Sequence, residues 1–180
     1  MKIENIGESG LNRVYHKSFK DERGFFSELF RTEELKKFGF DGVVQQNISL
    51  SNRGVIRGLH LQIKPMEQSK IITVLSGAIR DIVIDLRKGS STFLKLFTID
   101  IDMDSDFSLL IPKGFAHGFQ ALEDETIVLY SVDNIYSPEH ERGINVFDRK
   151  LNIEFPIEEK IISEKDEALP DLNKFLSNYE

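Results

Sequence analysis

Lys70-Ile71-Ile72-Thr73-Val74-Leu75, then Ser76-Gly77, Ala78-Ile79-Arg80-Asp81-Ile82-Val83-Ile84-Asp85-Leu86-Arg87, Lys88-Gly89-Ser90-Ser91 and, after Thr92, Phe93-Leu94-Lys95-Leu96-Phe97-Thr98-Ile99 follow one another almost without a break. Three runs rich in β-branched and aromatic residues are separated by Gly and Ser turns, and no stretch of helical period lies between them. This order predicts an antiparallel sandwich or barrel and argues against a parallel α/β fold. Downstream, Phe107–Ile111, Pro112–Phe119 and Thr126–Val132 extend the series. From Tyr136 onward the chain is richer in Pro, Asp, Glu and Lys, predicting irregular turns and a closing helix near Asp171–Asn178.

Upstream, Gly58-Leu59-His60-Leu61-Gln62 reads as a strand with Gly58, His60 and Gln62 on one face, and Arg57 just ahead of them. Gly58 is expected to leave bare backbone beside the histidine for a ligand to approach. Val43–Ser51 is a further strand. Its period of two puts Gln45, Asn47, Ser49 and Ser51 opposite Val44, Gln46, Ile48 and Leu50; inside a barrel that polar face lines a wet cavity, and on an ordinary two-faced strand it faces water. Thr32–Phe38 predicts a short helix with Thr32 as its cap and Gly39 as its stop. Asp21–Glu28 reads as a charged turn carrying Arg23 into aromatics. The opening strand around Gly10–His16 places His16 on a polar, exposed face without a functional role.

One domain spanning residues 1–180 is the simplest organisation for 180 residues. A formal net charge of -7 argues against nucleic acid or an anionic membrane as the main partner, so an anionic ligand must meet a local basic cluster. The absence of cysteine removes disulfides, thiolate metal sites and a cysteine nucleophile. No span of about 18 apolar residues occurs, and the expectation is a soluble, cytoplasmic protein.

Pro112-x-Gly114-x-x-His117 resembles the second half-motif of the cupin double-stranded β-helix, a jelly-roll barrel, which sets the expected fold as mainly β with a few short helices. The first cupin half-motif usually supplies His-x-His, whereas here His60-Leu61-Gln62 offers one histidine and an amide. Amides are poor ligands for a transition metal, so no metal site is expected. The wider set resembles the dTDP-4-dehydrorhamnose 3,5-epimerase family. It comprises Asp21-x-Arg23-Gly24-x-Phe26-x-Glu28, Gln45-x-Asn47-x-Ser49-x-Ser51, Gly54–Gln62, Lys70, Asp85-Leu86-Arg87, Pro112–Phe119, Leu129-Tyr130, Tyr136-x-Pro138-x-x-Glu141 and Ser163-x-Lys165-Asp166.

That resemblance implies inversion of C3, C5 or both in a nucleotide-activated 4-keto sugar, by proton removal and return beside the ketone, with no cofactor. It implies His60 as base, Asp166 as the partner that orients it, Lys70 as the charge beside the enolate oxygen and Tyr130 as the acid. It assigns Arg57 to the diphosphate. Arg23, Glu28, Gln45, Asn47, His117, Glu141 and Lys165 would line the sugar-nucleotide site, with Arg23 and Glu28 reaching a neighbouring subunit of a homodimer. The chain departs from the family where a basic residue usually follows the tyrosine, where a Tyr-Tyr pair usually precedes the proline, and where Trp-Asn-Asp-Pro usually occurs. Here the residues are Ser131, Ile135 and Val146-Phe147-Asp148-Arg149. An aliphatic Ile135 in an aromatic platform bears on which nucleotide or sugar is accepted, a GDP-linked heptose included. A 4-keto-sugar ring isomerase, a non-catalytic sugar-nucleotide-binding cupin and a metal-dependent cupin oxygenase remain as alternatives.

Overall fold

The computed structural model describes residues 1–178 and is built on two facing antiparallel sheets. One has six strands in the order β1 (Ile3–Asn5), β2 (Asn12–Tyr15), β10 (Phe107–Ile111), β7 (Lys70–Ser76), β12 (Thr126–Val132) and β5 (Gln45–Ser51). The other runs β13 (Glu141–Gly143), β6 (Ile56–Gln62), β11 (Phe115–Ala121), β8 (Ala78–Asp85) and β9 (Leu96–Asp102). A separate hairpin, β3 (Lys17–Asp21) and β4 (Gly24–Glu28), completes the strands. The runs around the Ser76-Gly77 turn do not pair with each other as a hairpin. β7 joins the six-stranded sheet and β8 the five-stranded one, so the chain crosses between the two faces of the barrel at that turn.

Three clusters hold these layers. Between the sheets, Ile72, Val74, Leu109 and Val128 meet Ile79, Val83, Ile99 and Phe119, all buried. Each such side chain contributes about 1.5–3 kcal/mol by leaving water. The C-terminal segment covers the outer face of the smaller sheet. There Ile144, Val146 and, from helix α3 (Leu172–Asn178), Leu172 and Phe175 pack on Leu59, Ile82, Ile84 and Ala116. On the outer face of the larger sheet, helix α1 (Thr32–Leu35) and the chain after it bring Leu35 and Phe40 onto Val14, Ile71 and Leu110. Among the described residues no helix is long and apolar enough to cross a membrane.

Two local expectations are corrected. Thr32 is the first helical residue rather than the cap. Arg31 holds the cap position without a side-chain cap bond, and after Leu35 the helix tightens into a 3-10 turn, Lys36–Phe38. Gly39 stops it as expected, at φ 80°, where a Cβ would be strained. His16 is half-buried rather than exposed. Its Nε2 lies 2.7 Å from Ser108 Oγ, which in turn is 2.6 Å from Thr73 Oγ1, and burial lowers its pKa.

Candidate active site

Strict alternation along β6 places Arg57 and His60 on opposite faces, yet both line one cavity of about 70 Å³ together with Lys70, His117, Gly118, Phe119 and Tyr130. The cause is a slip in the ladder. His60 pairs with His117 and Arg57 with Phe119, so Gly58 and Leu59 share the single opposite residue Gly118. This extra residue is a β-bulge, a device that re-aims the side chains flanking it. The expectation that Gly58 leaves its backbone open to a ligand is overturned. A Cβ there would stand 2.6 Å from Gly118 Cα and 2.6 Å from the His117 carbonyl oxygen, so the bare backbone is filled by β11.

Asp166 is buried. Helix α2 (Glu164–Glu167), capped by Ser163 Oγ, presents it to β6. One carboxylate oxygen lies 2.9 Å from His60 Nε2 and the other accepts the Gly58 N–H at 3.1 Å. Burial alone would raise its pKa, but the His60 contact and the Gly58 N–H bring it below the ordinary value. An ionised carboxylate only accepts, so His60 Nε2 carries a hydrogen, and in the neutral imidazole the lone pair is then on Nδ1. Lys70 Nζ donates to the His60 carbonyl oxygen at 3.1 Å. Burial lowers the Lys70 pKa to about 8 against the opposing pull of Glu141 and Asp81. Burial pushes the Tyr130 hydroxyl up to about 12, so it holds its proton at neutral pH, and its oxygen is 3.3 Å from Ser49 Oγ.

The polar face of β5 does turn inward. Ser49 meets Tyr130, and Ser51 Oγ accepts from Arg57 Nε at 3.1 Å. The apolar face is the exposed one, with Ile48 66% and Leu50 61% accessible. Gln45 and Asn47 bond each other at 2.9 Å, and Gln45 Oε1 accepts the Tyr136 N–H. Tyr136 continues to Glu141, which also pairs with Lys165, forming an acidic and basic rim. Gln62 does not join the chemistry. It is buried, donating to the carbonyls of Met66 and Ile135 and accepting the Ser137 N–H. Arg23 and Glu28 do not line the cavity. Arg23 is 84% exposed and pairs with Asp21, while Glu28 pairs with Arg31.

One residue of the site escaped the sequence reading. Asp81 is wholly buried, and its Oδ2 lies 2.7 Å from His117 Nε2. Its signal was present, since its neighbours two positions away, Ile79 and Val83, are core residues and a charge on that face has to be buried. Both histidines of the cavity thus engage carboxylates. Among the described residues no three His, Asp or Glu side chains gather as a metal-binding group.

A double-sheeted jelly roll with two carboxylate-bound histidines, a half-buried lysine and a half-buried tyrosine at its cavity is a cupin barrel fitted for acid–base chemistry. Residues 8–174 match the family model described as dTDP-4-dehydrorhamnose 3,5-epimerase. The dTDP-4-dehydrorhamnose 3,5-epimerase of Shigella flexneri is 41% identical over 152 residues, 83% of this chain and 84% of that protein. The crystal structure of the enzyme of that name from Sulfolobus tokodaii superposes with a TM-score of 0.88 at 46% identity, covering 96% of each chain. That of dTDP-6-deoxy-D-glucose-3,5-epimerase from Legionella pneumophila, in complex with dTDP-4-keto-L-rhamnose, has a TM-score of 0.89 at 36% identity, covering 96% of this chain and 93% of that one. The chain belongs to the dTDP-4-dehydrorhamnose 3,5-epimerase family.

Proposed function

We propose that the chain, folded as a single domain, epimerises a dTDP-linked 4-keto-6-deoxy sugar at C3, C5 or both. The observation that carries this reading is the His60–Asp166 pair, which leaves Nδ1 as a lone pair in a cavity shared with Lys70 and Tyr130. C–H bonds flanking a ketone are acidic, so an imidazole can remove one without redox chemistry. Lys70 stabilises the enolate oxygen, and Tyr130 returns a proton to the other face of the carbon, inverting it. Arg57 meets the diphosphate with its planar fork. His117, Gln45, Asn47, Glu141 and Lys165 line the remainder of the site. In deuterated water, a panel of dTDP- and GDP-linked 4-keto sugars should show deuterium entering at C3 or C5 only with dTDP-linked members, read by NMR and mass spectrometry. Exchange confined to a GDP-linked heptose would reassign the nucleotide, and a ketone that moves along the ring would make the protein an isomerase of another kind.

The lysine sets a pH limit. Lys70 is cationic below about 8 and neutral above it, so kcat/KM should fall as pH rises through that value. Stability should move the opposite way. The unfolded chain keeps this lysine near 10.5, so between about 8 and 10.5 the unfolded state binds the extra proton and this group makes folding more favourable as pH rises. Melting curves of the wild type should gain on those of Lys70→Met across that window. A constant difference would mean that Lys70 titrates as an ordinary lysine.

A homodimer completes the reading. The outward faces of Ile48 and Leu50 on the edge strand β5, with Leu75 on β7 and Phe25 and Phe26 on the β3–β4 hairpin, leave large apolar side chains in water. A second copy covering them would bring Arg23 and Glu28 to its partner's cavity. Ile48→Glu should convert a sedimenting dimer into monomer and lower activity at least tenfold, since a buried charge at that point opposes association. A wild type that sediments as monomer at micromolar concentration would refute the arrangement.

A further inference from the structure

Asp81 stands behind the cavity wall, held to the lining residue His117, and the proposed epimerisation gives it no role. It lies on β8, wholly buried, with one oxygen 2.7 Å from His117 Nε2 and the other, Oδ1, without a hydrogen-bond partner among the described residues. A half-satisfied buried carboxylate is costly and rare, and such groups persist where function requires them. Its neighbourhood explains what it serves. His117 faces His60 across the β6–β11 ladder, the His60 carbonyl takes the Lys70 ammonium at 3.1 Å, and the His117 ring stands edge-on to Tyr130 with centroids 6.4 Å apart.

We propose that Asp81 is a positioning residue for the epimerisation, fixing His117 through Oδ2 and serving through its charge as the counter-ion that keeps Lys70 protonated. The inference rests on the acid–base function proposed above. The Nε2–H bond sets the His117 tautomer, leaving its Nδ1 as an acceptor. The charge matters because Lys70 is desolvated. Among the described residues its ammonium contacts no carboxylate, and burial works against it, so charges farther off decide whether it stays cationic. The groups facing it are Glu141 from β13, Asp81 from β8, His60 and Arg57 from β6, His117 from β11 and Tyr130 from β12. Of the two carboxylates, Glu141 exerts the larger pull but is shared with Lys165 and Tyr136 at the rim, whereas Asp81 has among the described residues only His117 as a side-chain partner.

Asp81→Asn keeps the shape and an oxygen for the His117 Nε2–H while removing the charge. The alkaline limb of kcat/KM for solvent deuterium exchange should move down by about one pH unit, the size expected for one charge acting over several ångströms of protein interior. Relative to wild type, activity should then fall about fivefold at pH 8 and less than twofold at pH 6. The pH midpoint for acylation of Lys70 by acetic anhydride, read by peptide mass spectrometry, should shift the same way. An unmoved limb together with unmoved Lys70 reactivity overturns the proposal. If Asp81→Asn does not fold, His117→Gln decides. It retains the Asp81 charge, so its limb must stay at the wild-type position even as kcat falls, and a limb that moves overturns the charge role. A wild type that exchanges no substrate proton sinks the epimerase reading, while the Lys70 acylation comparison still tests Asp81.

Discussion

His60→Ala should abolish solvent exchange at every carbon the wild type labels, with kcat/KM lower by roughly a thousandfold or more, because positioned general bases contribute about 10²–10⁴-fold and no second lone pair occupies the same place. The other imidazole of the cavity, His117, is anchored to β8 through Asp81, so it does not swing into the vacancy. KM should change little, since Arg57 and the rim residues are untouched. The variant also leaves Asp166 buried with the Gly58 N–H as its main remaining donor, so a loss of stability of about 1–3 kcal/mol should accompany the loss of activity. Circular dichroism at the assay temperature separates the two effects. Exchange within tenfold of wild type in a folded variant would mean that the proton is taken by another group.

The largest structural effect should come from a single methyl group. Gly58 has φ 110° and its added Cβ would stand 2.6 Å from two backbone atoms of β11, while Gly118 opposite would drive its own Cβ to 2.4 Å from the Arg57 carbonyl oxygen. Backbone cannot rotate away as a side chain can, so the bulge must open. Gly58→Ala should destabilise the fold by about 3–5 kcal/mol, at the upper end for a point substitution, and should separate Arg57 from His60 in the cavity. Gly89→Ala is the control. Gly89 shares the positive φ, at 94°, but has open space around it, so it should cost only about 1–2 kcal/mol. Urea denaturation of the two variants measures the difference. Equal losses would show that backbone conformation alone, not the contact between β6 and β11, requires glycine at position 58.

The layered β architecture, the sequence positions of most strands, the closing helix and the two-faced pattern of β5 were legible in one dimension, because alternation and turn residues are local properties of the chain. So were His60, Lys70, Tyr130 and Asp166, through motif order rather than through any property of their neighbourhoods. The meeting of His60 with Asp166 depends on helix α2 returning to β6 over more than a hundred residues. The joint presence of Arg57 and His60 in one cavity depends on a bulge that breaks the alternation used to read the strand. Burial decided the remainder. Nothing local distinguishes Gln62, sealed by loop carbonyls, from an amide that faces a ligand, nor His16, half-buried against Ser108, from a surface histidine. Asp81 is the clearest case. An acid between two core residues announces that it is buried, but only the packing of β8 against β11 identifies His117 as its partner and Lys70 as the charge within its field, because those contacts join strands that are far apart in sequence.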